Sequence, residues 1–143
     1  MLISTKGRYA LRVMIDLAEH QGDGFIPLKV IAERQEISEK YLESIIKLLV
    51  KARMLSGVRG KGGGYQLTRS PEQYTAGEVL RLTEESLAPV SCLEQDAEAC
   101  HRAAFCRTLP LWKGLSGVIN DYLDRITIED LMQRGDAGND YVI

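Results

Sequence analysis

Residues 26–67, "IPLKVIAERQEISEKYLESIIKLLVKARMLSGVRGKGGGYQL", decide the fold. Pro27 suits a helix entry, and Leu28, Ile31 and Ala32 give the short helix after it one apolar face. "RQEIS" reads as a brief turn. Ser38 then offers its hydroxyl to the open N–H groups of a second helix, and Glu39 favours the positive end of its dipole. Leu42, Ile45, Ile46 and Leu49 form that helix's buried face. Two short helices joined by a tight turn make a helix-turn-helix. Leu55 to Arg59 and Tyr65 to Thr68 are strand candidates joined by the glycine-dense "GKGGG", whose Gly60, Gly62, Gly63 and Gly64 tolerate turn geometry. Pro71 closes the second strand. The expected fold is mainly α with a small β-hairpin wing: a winged helix-turn-helix.

Upstream, Ala10, Val13, Met14, Leu17 and Ala18 recur at helical spacing, with Ser4 or Thr5 as cap and "QGDG" as terminator. Downstream, Thr75 and Glu78 stand in capping-box spacing, as do Thr127 and Asp130. Between them runs an apolar stripe of Leu111, Leu115, Val118, Ile119, Tyr122 and Ile126, a long amphipathic helix. The chain has few other helices to cover so long a stripe, so this helix is expected to form a dimer interface. The domain plan is a DNA-binding domain at 1–72, a connecting helix and linker at 73–90 and a cysteine-containing loop at 91–109. The dimerisation helix and a short terminal helix take 110–134, and a flexible tail 135–143.

The formal net charge of −2 hides an asymmetry. Residues 1–70 hold 12 Lys/Arg against 7 Asp/Glu, net +5; residues 71–143 hold 6 against 13, net −7. Such a split suggests a basic contact half and an acidic half with another task, although solvated faces can differ this much by chance. No apolar run is long enough to span a bilayer, and "MLISTKGRYALRVM" lacks the features of a signal peptide. A cytoplasmic location without membrane contact is therefore expected.

A recognition helix presents its N-terminal polar residues to base edges in the major groove. Here those are Ser38, Glu39, Lys40, Tyr41, Glu43 and Ser44, with Lys47 one turn on. Ser bonds donors or acceptors, Glu accepts from a cytosine amino group, and Lys reaches guanine or phosphate. Arg59, flanked by Gly60 on the wing, suits the narrow minor groove. Lys6, Arg8 and Lys61 are candidate phosphate contacts. Tyr9, Tyr41 and Tyr65 could each be core with a hydroxyl reaching phosphate, and core is favoured for Tyr9. Taken singly, each of these residues is as readily an ordinary surface group. Their coincidence with the basic half carries the argument.

All three cysteines lie in "CLEQDAEACHRAAFC", residues 92–106. The spacing C-x7-C-x5-C is too open for an ordinary zinc site and lacks a fourth cysteine. His101 adjoins Cys100, yet adjacency in sequence does not make a nucleophile–base pair, so an enzyme is not expected. Three soft ligands on a loop suit an iron–sulfur cluster with a non-cysteine fourth ligand. Buried structural cysteines remain the plainer alternative.

"ISTKGRYALRVMIDLA", the helix-turn-helix and "VRGKGGGYQL" are followed by "TAGEVLR", three loop cysteines, Trp112 and "ITIEDL". In this order they resemble the IscR, NsrR, RirA and CymR group of bacterial transcription regulators, from Leu2 to about Arg134. The resemblance implies a winged-helix homodimer, dimerised by its long C-terminal helix, on palindromic double-stranded promoter DNA, here expected to act as a repressor. It also implies a [2Fe–2S] or [4Fe–4S] cluster on Cys92, Cys100 and Cys106, one that aerobic purification can strip. The x7–x5 spacing is most like that of RirA-type members. The histidine that IscR-type members place three residues past the last cysteine is Leu109 here, and the aspartate of NsrR-type members falls at Arg8, so neither fourth ligand carries over. His101 is a candidate, with Glu94, Asp96 and Glu98 or an external ligand. CymR-type members lack the cysteines and act through a metabolic-enzyme partner, which leaves a cluster-free, thiol- or partner-controlled regulator as the alternative.

Overall fold

The computed structural model describes residues 2–136. Helix α1, Thr5–Glu19, starts where the Ser4 hydroxyl accepts from Gly7 N–H. Helices α2, Leu28–Gln35, and α3, Glu39–Lys51, form the helix-turn-helix. The first extends through Arg34 and Gln35, so the turn is shorter than "RQEIS" suggests. Glu36, left-handed at φ 55°, ends it, and Ser38 caps α3 by accepting from Tyr41 N–H.

The wing is an antiparallel pair, β1 at Leu55–Val58 and β2 at Gly64–Leu67, in register from Leu55 opposite Leu67 to Val58 opposite Gly64. A third segment joins it: Ile26 and Tyr65 exchange both backbone hydrogen bonds, at 2.8 and 2.9 Å. That approach demands a bare backbone at Gly64. A β-carbon there would lie 2.3 Å from the Ile26 carbonyl, at φ +150°. Behind β2, the buried Tyr74 hydroxyl accepts from Thr68 and Arg69 N–H and donates to the Met54 carbonyl.

Helix α4, Ala76–Thr83, is capped by Thr75, which accepts from Glu78 N–H. The Glu78 carboxylate accepts from Arg69 at 2.9 Å, an ion pair the capping-box spacing does not foresee. After a connector and the cysteine loop come α5, Leu109–Arg125, and α6, Ile128–Asp136. At the start of α6, Thr127 and Asp130 form the full reciprocal capping box. Residues 137–143, most of the expected tail, lie outside the described residues.

The core is made by α1, α2, α3, α4 and α6. Val13, Met14, Ile31, Leu42, Ile45, Leu49, Val79 and Ile128 are all buried in it. Each such side chain contributes about 1.5–3 kcal/mol on burial. Helix α5 stands apart: none of its residues is buried. The Arg81 guanidinium joins it to α4 through Asp124 at 2.6 and 3.1 Å and Asn120 at 2.7 Å, and Ala76 N–H donates to the Ile126 carbonyl.

Candidate nucleic-acid interface and sensor loop

The outward face of α3 and the wing enclose one cleft. Glu43, Ile46, Lys47, Val50, Lys51, Val58, Arg59 and Tyr65 are among its lining residues. Three cations on two elements face the same space, which suits a polyanion. Glu43 and Lys47 are paired at 3.4 Å but exposed, so the pair is weak and open to exchange for a base or phosphate. Arg59, Gly60 and Lys61 are exposed at the wing tip, with Gly60 at φ 91°. Val50, Lys51 and Val58 carry no signal along the chain; they meet only once the hairpin folds back on α3.

The first turn of α3 is already partly engaged. The Ser38 hydroxyl caps the helix, and the Ser44 hydroxyl donates to the Tyr41 carbonyl at 2.6 Å. Glu39 and Lys40 are exposed, while Tyr41 is half-buried edge-on against Tyr9. Tyr9, Tyr41 and Tyr65 all pack against the core. Arg8 is exposed and donates to the Thr5 hydroxyl. Lys6 lines a different cleft, with Thr83, Glu84, Glu85 and Glu94, where acidic neighbours compete for its charge. Beside it, both the backbone N–H and the hydroxyl of Ser4 donate to the Glu84 carboxylate, tying the foot of α1 to the connector.

The cysteine loop hangs from that connector. Cys92 and Cys100 are exposed, Cys106 is half-buried, and all three are free thiols. Hydrogen bonds in the loop join near neighbours, such as Ala103 N–H to the Cys100 carbonyl. Glu94, Asp96, Glu98 and His101 are exposed too. Among the described residues no three His, Cys, Asp or Glu side chains converge as a ligand set, so the structure does not bring the cysteines together. The donor chemistry nevertheless fits a thiophilic group: three soft ligands, none in a disulfide, are carried on one loop. Cys106 adds an electrostatic reason. Its Sγ lies 3.4 Å from the Thr108 hydroxyl at the start of α5. That hydroxyl, then the Thr108 and Leu109 backbone N–H groups and the Arg102 charge, hold the thiol below its ordinary range against a smaller opposing effect of burial. In a Cys92→Ser/Cys100→Ser variant, iodoacetamide should alkylate Cys106 with a pH midpoint below that of an ordinary cysteine thiol measured alongside. Thr108→Val should raise it; an unchanged midpoint would contradict this account.

The expected interface stripe lies on α5. Leu111, Leu115, Val118 and Tyr122 are exposed, Val118 at 66 % and Leu111 at 60 %, while Ile119 and Ile126 are half-buried. Large apolar groups at helical spacing rarely stay uncovered on one face. Among the described residues no helix is long and apolar enough to cross a membrane.

Known proteins share both the sequence and this layout. Residues 3–134 match the family model Rrf2, described as iron-dependent transcriptional regulator. The HTH-type transcriptional regulator IscR of Sodalis glossinidius is 41 % identical over 132 residues, 92 % of this chain and 79 % of that one. Among solved structures, IscR of T. potens superimposes with a TM-score of 0.77 at 36 % identity, covering 100 % of this chain and 94 % of its own. CymR, the global cysteine regulator of B. subtilis, gives 0.75 at 38 % identity, covering 93 % and 97 %. The family match, residues 3–134, spans the helix pair, the wing, the cysteine loop and the projecting helix. The chain belongs to the Rrf2 family and is a DNA-binding transcription regulator with a winged helix-turn-helix fold.

Proposed function

We propose that this regulator works in the cytoplasm as a homodimeric repressor of palindromic promoter DNA, controlled by an iron–sulfur cluster on Cys92, Cys100 and Cys106. The observation that carries the reading is the loop itself. Three free thiols, two exposed and one half-buried, sit between the connector and α5, in a chain whose family is described as iron-dependent. A bound cluster would supply a sensitivity to iron and oxidants that the side chains alone lack. The chain's own part is to present three thiolates, Cys106 most readily, with His101, Glu94, Asp96, Glu98 or a small external ligand as the fourth donor. Contacts are assigned to Ser38, Glu39, Lys40, Tyr41, Glu43, Ser44 and Lys47 on α3 and to Arg59, Gly60 and Lys61 on the wing, with Lys6, Arg8 and Tyr65 at phosphate. The α5 stripe is assigned to the second copy. No catalytic step is assigned to the chain. The cluster-free alternative, a regulator controlled by thiol oxidation or by a protein partner, draws on the likeness to CymR; its partner-controlled form leaves the thiols without a task, and no observation favours a metabolic-enzyme partner.

The test is anaerobic reconstitution with iron and sulfide, followed by analysis of both and by operator titration. The wild type should retain iron and sulfide, and its DNA affinity or target choice should differ between the loaded and stripped forms. A Cys92→Ser/Cys100→Ser/Cys106→Ser variant should retain neither. Failure of the wild type to hold iron and sulfide would remove the cluster and leave the DNA-binding role standing.

A further inference from the structure

Among the described residues, Asp16 is the charged side chain that is buried, at 2 % exposure. Its carboxylate accepts three hydrogen bonds. Arg34 donates from Nε to Oδ2 at 3.0 Å and from Nη2 to Oδ1 at 2.7 Å; Gln35 Nε2 donates to Oδ2 at 2.8 Å. The fork raises the Arg34 pKa, chiefly through its hydrogen bonds to Asp16. Arg34 and Gln35 are the last two residues of α2, directly before the turn into α3.

Gln35 is gripped from the other side as well. Arg12 Nε donates to its Oε1 at 3.1 Å, and Arg12 Nη2 donates to its backbone carbonyl. Both ends of the amide are thereby assigned, oxygen to Arg12 and nitrogen to Asp16, so a flipped amide would break both bonds. The Arg12 guanidinium lies 4.9 Å over the Tyr9 ring, and Tyr9 meets Tyr41 edge-on at 5.9 Å and 87°. Tyr41 is in the first turn of α3. Tyr9, Arg12 and Asp16 are spaced i, i+3, i+7, along one side of α1. One strip of α1 thus holds the turn on both flanks, at Gln35 before it and at Tyr41 after it.

Stability alone does not explain such an arrangement. Asp16 is buried while the Arg34 side chain is 31 % exposed; an ion pair taken even partly out of water is often no more stabilising than apolar groups of the same volume, but its directional bonds can define a register. We infer that Asp16, with Arg12 and Gln35, is a positioning residue for sequence-specific DNA recognition: it fixes the turn, and through the turn the angle at which α3 presents its N-terminal residues to bases. The inference rests on the reading of α3 as the base-reading helix.

The experiment uses full-length protein, a palindromic duplex enriched by the wild type from a randomised pool, and a scrambled duplex of equal length. Two variants are compared. Asp16→Asn keeps the shape, and Asp16→Leu/Arg34→Met replaces the pair by apolar volume. In both, the ratio of affinities for selected over scrambled DNA should fall about tenfold, the order of one lost base contact. Affinity for scrambled DNA should stay the same, because phosphate contacts are intact. The melting temperature of the double variant should hold or rise. Either variant, folded and with a wild-type ratio, would overturn the inference. So would an equal loss on both duplexes, or failure of both variants to fold, since each marks a purely structural role. If the wild type itself enriches no sequence, the base-reading role of α3 fails instead.

Discussion

Val118→Glu is expected to convert the protein to a monomer and to cut operator affinity by about 10²–10⁴, the avidity lost when two linked half-sites are bound separately. Val118 lies near the middle of α5, on the exposed stripe of Leu111, Leu115 and Tyr122. In a two-fold interface each substituted carboxylate faces the matching patch of the other copy, so two charges are desolvated together. The isolated fold should not suffer, because the site is two-thirds exposed in the single chain. Light scattering reads the mass, circular dichroism the fold, and fluorescence anisotropy the operator affinity. A variant that remains dimeric would place the interface elsewhere.

Gly64→Ala should destabilise the protein by more than about 3 kcal/mol, beyond the strain of a positive φ alone. The new β-carbon would sit 2.3 Å from both the carbonyl carbon and oxygen of Ile26 and 2.7 Å from Pro27 N. These are backbone atoms, so no rotamer change relieves the overlap. Relief requires breaking the two Ile26–Tyr65 hydrogen bonds and moving the wing away from the start of α2. Gly60→Ala provides the contrast: φ is positive at +91°, but a β-carbon meets nothing within 4 Å. Thermal denaturation of both variants should separate strain from overlap, and a Gly64→Ala protein as stable as Gly60→Ala would refute the account.

The helices and the wing were legible because their signals are local. Apolar spacing marked the buried faces of α1 and α3, and Ser4, Ser38, Thr75 and Thr127 each cap the helix they precede. The glycine run announced the hairpin, but not which of its glycines the fold cannot spare: a β-carbon would meet backbone at Gly63, 2.1 Å from the Val58 carbonyl oxygen, and at Gly64, but nothing at Gly60. Gly64 differs from Gly60 through Ile26, nearly forty residues upstream. The charged network was hidden for the same reason. Asp16 interrupts an apolar stripe and looks like a surface residue until α2 lies across it, bringing Arg34 and Gln35 within 3.0 Å. Glu84 and Ser4, eighty positions apart, could not be paired from the sequence. The cysteines were visible by type and spacing, yet their mutual geometry is not encoded in an open loop whose hydrogen bonds reach only near neighbours.

Helix α5 has the proportions of a lever. Its 17 residues make a rod of about 25 Å at 1.5 Å per residue. The polar contacts described above, at Asn120, Asp124 and Ile126, all grip the end nearer α6. A rotation of about 10° at that grip would swing the far end by roughly 4 Å, on simple rod geometry. The cysteine loop is attached at the far end, at Leu109. In the proposed dimer joined along α5, a small turn about the Arg81–Asp124 fulcrum would change the distance between two reading heads, and helix-turn-helix dimers match half-sites one helical turn, ~34–36 Å, or a multiple of it apart.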